Sequence, residues 1–321
     1  MMPAGRGLVR LPRWIPVAAG LLLTAGLAVA AMGAGVWPGW LAPLPPAVSG
    51  DVEQAASSAE ARWRNGVAAI AAARGVAADE ALIGSEMGPL VTTLGDLEAK
   101  RVAASPAWPR ALVREFHRAG LRRGDVVAAS FSGSFPALNL AVMCASQAMG
   151  LDLVAVSSVT ASSWGATDPG FTWPEIEARF AEGGLARRAT VAVSAGGDGD
   201  RALDLDDEGR SLARDIAART ARQLQARLIE PADFEASVRA RLDAFDVARA
   251  GRPIAAFVNV GGTEAALGHS TAILMLQNGW LGSLPFDSSP RRGLVARMVE
   301  QRVPVLHILN VRDLAVRWGL L

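Results

Sequence analysis

Short apolar segments alternate with longer amphipathic segments along most of the chain after residue 96. The apolar segments predict strands at 125–131, 151–157, 190–194, 254–260 and 304–309. The amphipathic segments predict helices at 51–74, 106–119, 136–149, 173–182, 208–227, 232–249, 291–301 and 311–318. Continuously apolar strands joined by helices are typical of a mostly parallel sheet with both faces covered. With right-handed crossovers, the pattern predicts an α/β fold: a three-layer, Rossmann-like sandwich.

The N-terminal segment has a different pattern. Residues 15–36 carry no charge, and a helix of this length would span the roughly 30 Å hydrocarbon layer of a membrane. Arginines precede this segment but do not follow it until Arg62, so the positive-inside rule places 1–14 in the cytoplasm. The proline-rich stretch 37–50 is predicted to be an extended linker, and 51–321 to be one extracytoplasmic domain held at the cell membrane. A cleaved signal peptide is the alternative, and it exports the domain as well.

Composition and motifs argue against several classes of function and site. The net charge of +1 gives no overall field that would attract nucleic acid. The single cysteine excludes an intramolecular disulfide, and the three histidines show no metal-ligand spacing, so we expect no metal site. Neither GxGxxG nor GxxxxGK[ST] occurs, so we expect no nucleotide cofactor.

Small and hydroxyl-bearing residues follow four of the predicted strands. Ligands bind beyond the carboxyl ends of parallel strands, where backbone N–H groups suit a carboxylate or a phosphate. The candidate binding residues in these loops are Ser132, Gly133, Ser134, Ser162, Ser163, Trp164, Gly261, Gly262 and Thr263. The alternative is that these residues only form strand-to-helix turns, in which glycine and serine are common.

Two of these serines are also candidate nucleophiles. Ser132 and Ser134 occupy a strand-to-helix turn, as in a nucleophile elbow, although the local sequence FSGSF is not GxSxG. His269 is the candidate base, and Asp198 is a candidate to orient it. The sequence alone does not bring these groups together.

Residues 92–101, TTLGDLEAKR, combine hydroxyls, acids and adjacent bases, and they include the only lysine of the chain. One interpretation is a short helix capped by Thr93 or Asp96. The functional interpretation makes Lys100 and Arg101 the cations that meet an acidic ligand.

Several long segments resemble the poly-γ-glutamate system proteins, which are membrane-anchored proteins associated with synthesis or export of poly-γ-glutamate. They are TTLGDLEAKR (92–101), GDVVAASFSGSFPALN (124–139), SSVTASSWGATDPGFTW (157–173), FVNVGGTEAALG (257–268) and VPVLHILNVRDLAVRWGL (303–320). The resemblance extends over roughly residues 80–320, and the preceding apolar segment fits it. It implies an accessory protein that binds the anionic polymer or its synthase at the outer face of the membrane. It assigns no catalytic residues.

Three functions remain open at this point. The first is the accessory role, with Arg122–Arg123, Arg187–Arg188 and Arg291–Arg292 as candidate docking pairs for carboxylates. The second is a hydrolase or transpeptidase of γ-glutamyl amide bonds with Ser132 or Ser134 as nucleophile. The third is an envelope domain that binds a sugar or a small acid.

Overall fold

The computed structural model describes residues 50–269, 276–284 and 292–321. The predicted cytoplasmic segment 1–14, the transmembrane segment 15–36, residues 37–49 of the linker and Arg291 lie outside the described residues. Among the described residues, each helix is too short or too polar to cross a membrane.

The described residues form helices and strands in near-regular alternation. The helices are α1 (Gly50–Arg74), α2 (Leu97–Ala103), α3 (Ala107–Arg118), α4 (Pro136–Met149), α5 (Trp173–Glu182), α6 (Asp207–Leu224), α7 (Phe234–Arg249), α8 (Glu264–Leu267), α9 (Leu294–Glu300) and α10 (Val311–Arg317). The strands are β1 (Val91–Thr93), β2 (Val126–Phe131), β3 (Asp152–Ser158), β4 (Ala161–Ser162), β5 (Thr190–Ser194), β6 (Arg227–Ile229), β7 (Ile254–Val260), β8 (Gly279–Leu281) and β9 (Val305–Ile308). The five predicted strands are all present, whereas β1, β4, β6 and β8 were not predicted.

The main sheet has the strand order β6-β5-β3-β2-β7-β9-β8. Its strands pair in parallel except for β8, which pairs antiparallel with β9. This confirms the prediction of an α/β fold with a mostly parallel sheet. The chain runs outward from β2 through β3, β5 and β6, and then returns to β7 on the other side of β2. Ligands of open α/β sheets bind in the crevice where the strand order reverses, beyond the carboxyl ends of the strands.

Helices cover both faces of this sheet because the central strand is apolar on both sides. Val127 and Ala129 of β2 belong to the core that includes residues of α1, α3 and α4. Val126 and Ala128 belong to a second core with residues of α7 and α9. Neighbouring residues of a strand point to opposite faces, so a continuously apolar strand requires a helical layer on each face.

A second, small sheet lies beside the main one. Strands β1 and β4 pair in parallel, and Thr93 lies opposite Ser162. This pairing brings the segment 92–100 against the loop that follows β3. Gly95 permits the close approach, because a Cβ atom at this position would lie 2.3 Å from Ser163 O.

Candidate functional site

A cavity of about 610 Å³ lies at the carboxyl edge of the main sheet. The loops after β2, β3, β5, β7 and β9 all contribute to its wall, together with β1, α2 and the start of α10. It therefore occupies the place where a sheet of this topology binds its ligand. Its volume is within the range of small-molecule sites, roughly 300–1,000 Å³.

Lys100 lies at one side of this cavity with its ammonium group buried. The side chain, 4% exposed, donates hydrogen bonds to Ser162 Oγ at 2.8 Å and to Ser134 O at 2.5 Å. Its Nζ lies 4.2 Å from the centre of the Phe135 ring. Burial lowers the pKa of Lys100 from 10.5 to about 7, against the opposing effect of the Asp96 carboxylate. Near neutral pH, a large share of Lys100 is therefore unprotonated and able to accept a proton.

The serine hydroxyls form a connected chain next to this lysine. Ser132 Oγ donates to Ser134 Oγ at 3.0 Å, and Ser134 N donates to Ser132 Oγ at 3.1 Å. Ser134 Oγ also accepts a hydrogen bond from Ser162 N at 3.0 Å. The loop itself is anchored by Asn139 of α4, whose Nδ2 donates to Ser132 O at 2.8 Å. These bonds fix the backbone of Ser162 beside Lys100.

The loops after β5 and β7 contribute carboxylates to the cavity wall, in addition to Asp96 near Lys100. Asp198, Asp204 and Glu264 all line the cavity. Asp204 Oδ1 accepts a hydrogen bond from Asp198 N at 3.2 Å, and Glu264 accepts one from Gly199 N. Burial raises the pKa of Asp204 and that of Glu264. The cavity wall thus carries carboxylates as well as a lysine and serine hydroxyls.

A buried ion pair supports the loop after β5. Arg241 of α7 is 0% exposed, and its Nη2 donates to Asp200 Oδ1 and to Ser194 Oγ, both at 2.7 Å. Ser237 Oγ donates to the second oxygen of the Asp200 carboxylate at 2.5 Å. Asp200 is two residues from Asp198, so this network fixes this part of the cavity wall to α7.

Buried amides hold the loops after β7 and β9. Asn259 Nδ2 donates to Gly261 O at 2.8 Å and lies 3.1 Å from His307 Nδ1. Burial lowers the pKa of His307 to about 4, so the imidazole is neutral and its Nδ1 accepts this hydrogen bond. Asn278 Oδ1 accepts hydrogen bonds from the backbone N–H groups of Leu309 and Asn310, at 2.6 and 2.8 Å.

The structure brings many of the predicted site residues together. Those that line the cavity are Lys100, Ser132, Ser134, Ser162, Asp198, Gly262 and Thr263. Thr263 Oγ1 is buried, and it has no hydrogen-bond partner within the part of the chain that the structure describes. It is therefore a group that a ligand can engage.

Other predicted residues lie behind the cavity wall or outside it. Gly133, Ser163, Trp164 and Gly261 shape the loops through their backbones; for example, Ala166 N donates to Gly133 O at 2.8 Å, and Ser163 N donates to Thr93 O at 2.9 Å. Arg101 points to solvent and pairs with Glu98 on its own helix. It does not share the environment of its neighbour Lys100.

The titratable side chain beside Ser162 and Ser134 is Lys100, whereas the sequence predicts His269 as a candidate base. His269 pairs with the Glu264 carboxylate, and its ring packs edge-on against Phe234 at 4.8 Å. Lys100 Nζ contacts the hydroxyl of Ser162. The sequence predicts Ser162 only as a ligand-binding residue and not as a nucleophile. One signal was available in the sequence: Lys100 is the only lysine in a chain that otherwise uses arginine. Arginine does not lose its proton in proteins, whereas a buried lysine does.

Comparison of the chain with known protein families, with curated proteins and with solved structures finds no match. The resemblance to the poly-γ-glutamate system proteins therefore stays a prediction from the sequence.

Proposed function

We propose that this protein is an envelope hydrolase or transpeptidase that cleaves γ-glutamyl amide bonds with Ser162 as nucleophile and Lys100 as general base. The observation that carries the proposal is the 2.8 Å contact between Lys100 Nζ and Ser162 Oγ in a ligand-sized cavity. A buried amine with a pKa of about 7, next to a hydroxyl, is the arrangement that activates a serine without a histidine.

The reaction follows from the protonation states. Neutral Lys100 takes the proton of Ser162 Oγ while the oxygen attacks the amide carbonyl carbon. The ammonium group then returns this proton to the leaving amine as the C–N bond breaks, which leaves an ester on Ser162. Water, or the amine of an acceptor, attacks the ester with Lys100 again as base, and Ser162 regains its proton. Thr263 Oγ1 is available to hydrogen bond to the substrate.

The substrate class comes from the sequence resemblance and agrees with the polarity of the cavity. Arg312 lines the same cavity, is 61% exposed and pairs with Asp96 at 3.4 Å through one nitrogen, so its remaining donors can meet the free carboxylate that each γ-glutamyl unit carries. The carboxylates of Asp198, Asp204 and Glu264 suit the positively charged amine of an acceptor or of a chain end. These three carboxylates would repel a polyanion that lay along the whole cavity, because their charges have the same sign.

The proposed location rests on the sequence. Residues 15–36 would anchor the protein in the membrane, and the Rossmann-like domain would lie at the outer face, where an exported polymer is accessible. A cleaved signal peptide would release the same domain into the same compartment.

The proposal is tested with the full chain in detergent and poly-γ-glutamate of defined length, followed on gels. We expect chain shortening by the wild type and its loss in Ser162→Ala and in Lys100→Met. Ser211→Ala removes an exposed serine on α6 and should leave activity unchanged. Shortening that persists in both Ser162→Ala and Lys100→Met would exclude this dyad as the catalytic group.

The second candidate is the accessory role without turnover. It is favoured by the wall of the same cavity, which carries the guanidinium group of Arg312, the partly protonated amine of Lys100 and the hydroxyls of Thr92 and Ser162. Such a wall binds a carboxylate whether or not a bond is cleaved. Saturable binding of the polymer, with no shortening by the wild type, would favour this role over the enzyme.

A further inference from the structure

A second cavity, of about 250 Å³, lies at the opposite edge of the main sheet from the cavity that contains Lys100 and Ser162. It is formed by the last turns of α4, the start of β3 and the residues that precede β5 and β7. These are the amino ends of the parallel strands, so the second cavity is separated from Lys100 and Ser162 by the length of the sheet.

The charge of this cavity is positive. Arg187, Arg188 and Arg252 line it, and Asp152 is the only acidic residue that the described part of the chain contributes to its wall. Arg252 pairs with Asp152, which neutralises one arginine. No ion pair of Arg187 or Arg188 is found among the described residues, and both side chains are exposed. Two guanidinium groups are therefore left to meet an anion.

A buried hydroxyl lies in the same cavity. Ser146 of α4 is 1% exposed and lines the cavity, and within residues 50–269, 276–284 and 292–321 its Oγ has no hydrogen-bond partner. A buried polar atom without a partner costs free energy, and a ligand atom can remove that cost.

We propose that this second cavity binds a small oxyanion, a carboxylate or a phosphate group, through the guanidinium groups of Arg187 and Arg188 and the hydroxyl of Ser146. Guanidinium groups match the planar pair of oxygens of a carboxylate and two oxygens of a phosphate, and a serine hydroxyl donates to either. The volume suits one such group rather than a polymer segment. The site is independent of the proposed catalytic function.

The test uses the full chain in detergent and two probes in separate titrations, inorganic phosphate and γ-glutamylglutamate, followed by calorimetry at low salt. Three variants are compared with the wild type: Arg187→Gln/Arg188→Gln, Ser146→Ala, and the control Arg64→Gln/Arg101→Gln. The control removes two arginines that are each 59% exposed and paired on their own helices. We expect saturable binding of at least one probe, and the probe whose binding weakens when Arg187 and Arg188 are replaced identifies the group.

We expect the Arg187→Gln/Arg188→Gln protein to bind at least tenfold more weakly, and Ser146→Ala several-fold more weakly, with the control unchanged. Ser146→Ala separates a built site from general attraction by surface charge, because it removes no charge and leaves no buried partner unsatisfied. The proposal is overturned if neither probe binds saturably, if the control weakens binding as much as the paired arginine variant, or if Ser146→Ala binds like the wild type.

Discussion

Lys100 Nζ and Ser162 Oγ lie 2.8 Å apart, although the residues are 62 positions apart in the chain. The short parallel pairing of β1 with β4 places them together, with Thr93 opposite Ser162. The main sheet contributes Ser134, whose hydroxyl accepts a hydrogen bond from Ser162 N. The contact thus depends on three separate loops that the fold brings to one edge of the sheet.

The pH dependence of turnover tests the role of Lys100 directly. Because the pKa of Lys100 is about 7, we expect kcat/KM for hydrolysis of γ-glutamyl bonds to rise with pH through about 7 and then to level off. Lys100→Arg keeps the positive charge but cannot supply a neutral base, so its activity should fall by roughly 10²- to 10⁴-fold. A pH–rate profile between pH 5 and 9 measures both. A flat profile, or an active Lys100→Arg protein, would contradict the proposed base.

The same buried lysine should lower the stability of the protein. Folding lowers the pKa of Lys100 from 10.5 to about 7, so between these values the unfolded chain binds a proton that the folded chain does not. The free energy of unfolding therefore rises with pH across this window, and the penalty is largest below pH 7. Lys100→Met should be more stable than the wild type at pH 7, on the order of a few kcal/mol, less the hydrogen bonds lost by Ser134 and Ser162.

Urea unfolding of the wild type and of Lys100→Met at pH 7 and at pH 10 measures this difference. We expect the advantage of the variant to shrink at pH 10, because that pH lies close to the upper end of the window between pH 7 and 10.5 in which the penalty disappears. Arg101→Met is the matched control, because Arg101 is exposed on the same helix and should show no such pH dependence. If Lys100→Met raised the free energy of unfolding by the same amount at both pH values, burial of the ammonium group would not be what destabilises the wild type.

A buried histidine sets the response to acid. Folding lowers the pKa of His307 from 6.5 to about 4, so the unfolded chain binds the additional proton between these values. The free energy of unfolding should fall as the pH drops from 6.5 to 4, by on the order of 3 kcal/mol. His307→Gln should remove this pH dependence, whereas His117→Gln, which replaces an exposed histidine, should keep it. Unfolding curves at pH 7, 5.5 and 4 distinguish the two variants.

The sequence predicted the main sheet well because its strands are apolar along their whole length. Strands β2, β3 and β7 are buried on both faces. Their runs of valine and alanine are typical of central strands that helices cover on both sides. The loops at their carboxyl ends were also predicted to meet, since that follows from parallel pairing alone. Ser132, Ser134 and Thr263 all reach the cavity for this reason.

The contact between Lys100 and Ser162 could not be predicted in the same way. Strand β4 is only two residues long, Ala161–Ser162, and a segment this short has no periodicity to detect. Its contact with β1 is a tertiary interaction, and only that contact brings Lys100 to Ser162. The boundary of α6 shows a related difficulty: the helix ends at Leu224 because Gln225 adopts a left-handed conformation, with φ 56°, that sequence signals expect of glycine or asparagine. The prediction of a helix to residue 227 was therefore wrong and concealed β6.

Asp200 and Arg241 form a buried ion pair, so the effects of replacing them on the free energy of unfolding should be strongly coupled. Both side chains are buried, so Asp200→Asn or Arg241→Met alone leaves a charge without its partner and should destabilise the protein by about 3–5 kcal/mol. The double variant should lose less than the sum of the two single losses. A double-mutant cycle from chemical unfolding measures the coupling, and additive losses would show that the pair does not act as a unit.

Gly95 offers a test of whether the β1–β4 contact is required for catalysis. A Cβ atom at this position would lie 2.3 Å from Ser163 O and 3.3 Å from Lys100 Cε, so Gly95→Ala must separate the two segments. We expect turnover to fall at least tenfold, with a loss of about 1–3 kcal/mol in the free energy of unfolding. Gly282→Ala is the control, because no heavy atom in the described part of the chain lies within 4 Å of its added Cβ, and it should leave both quantities unchanged. A Gly95→Ala protein that is destabilised yet turns over at the wild-type rate would show that catalysis does not depend on the contact between Lys100 and Ser162, since the clash with Ser163 O separates the segment that carries Lys100 from the strand that carries Ser162.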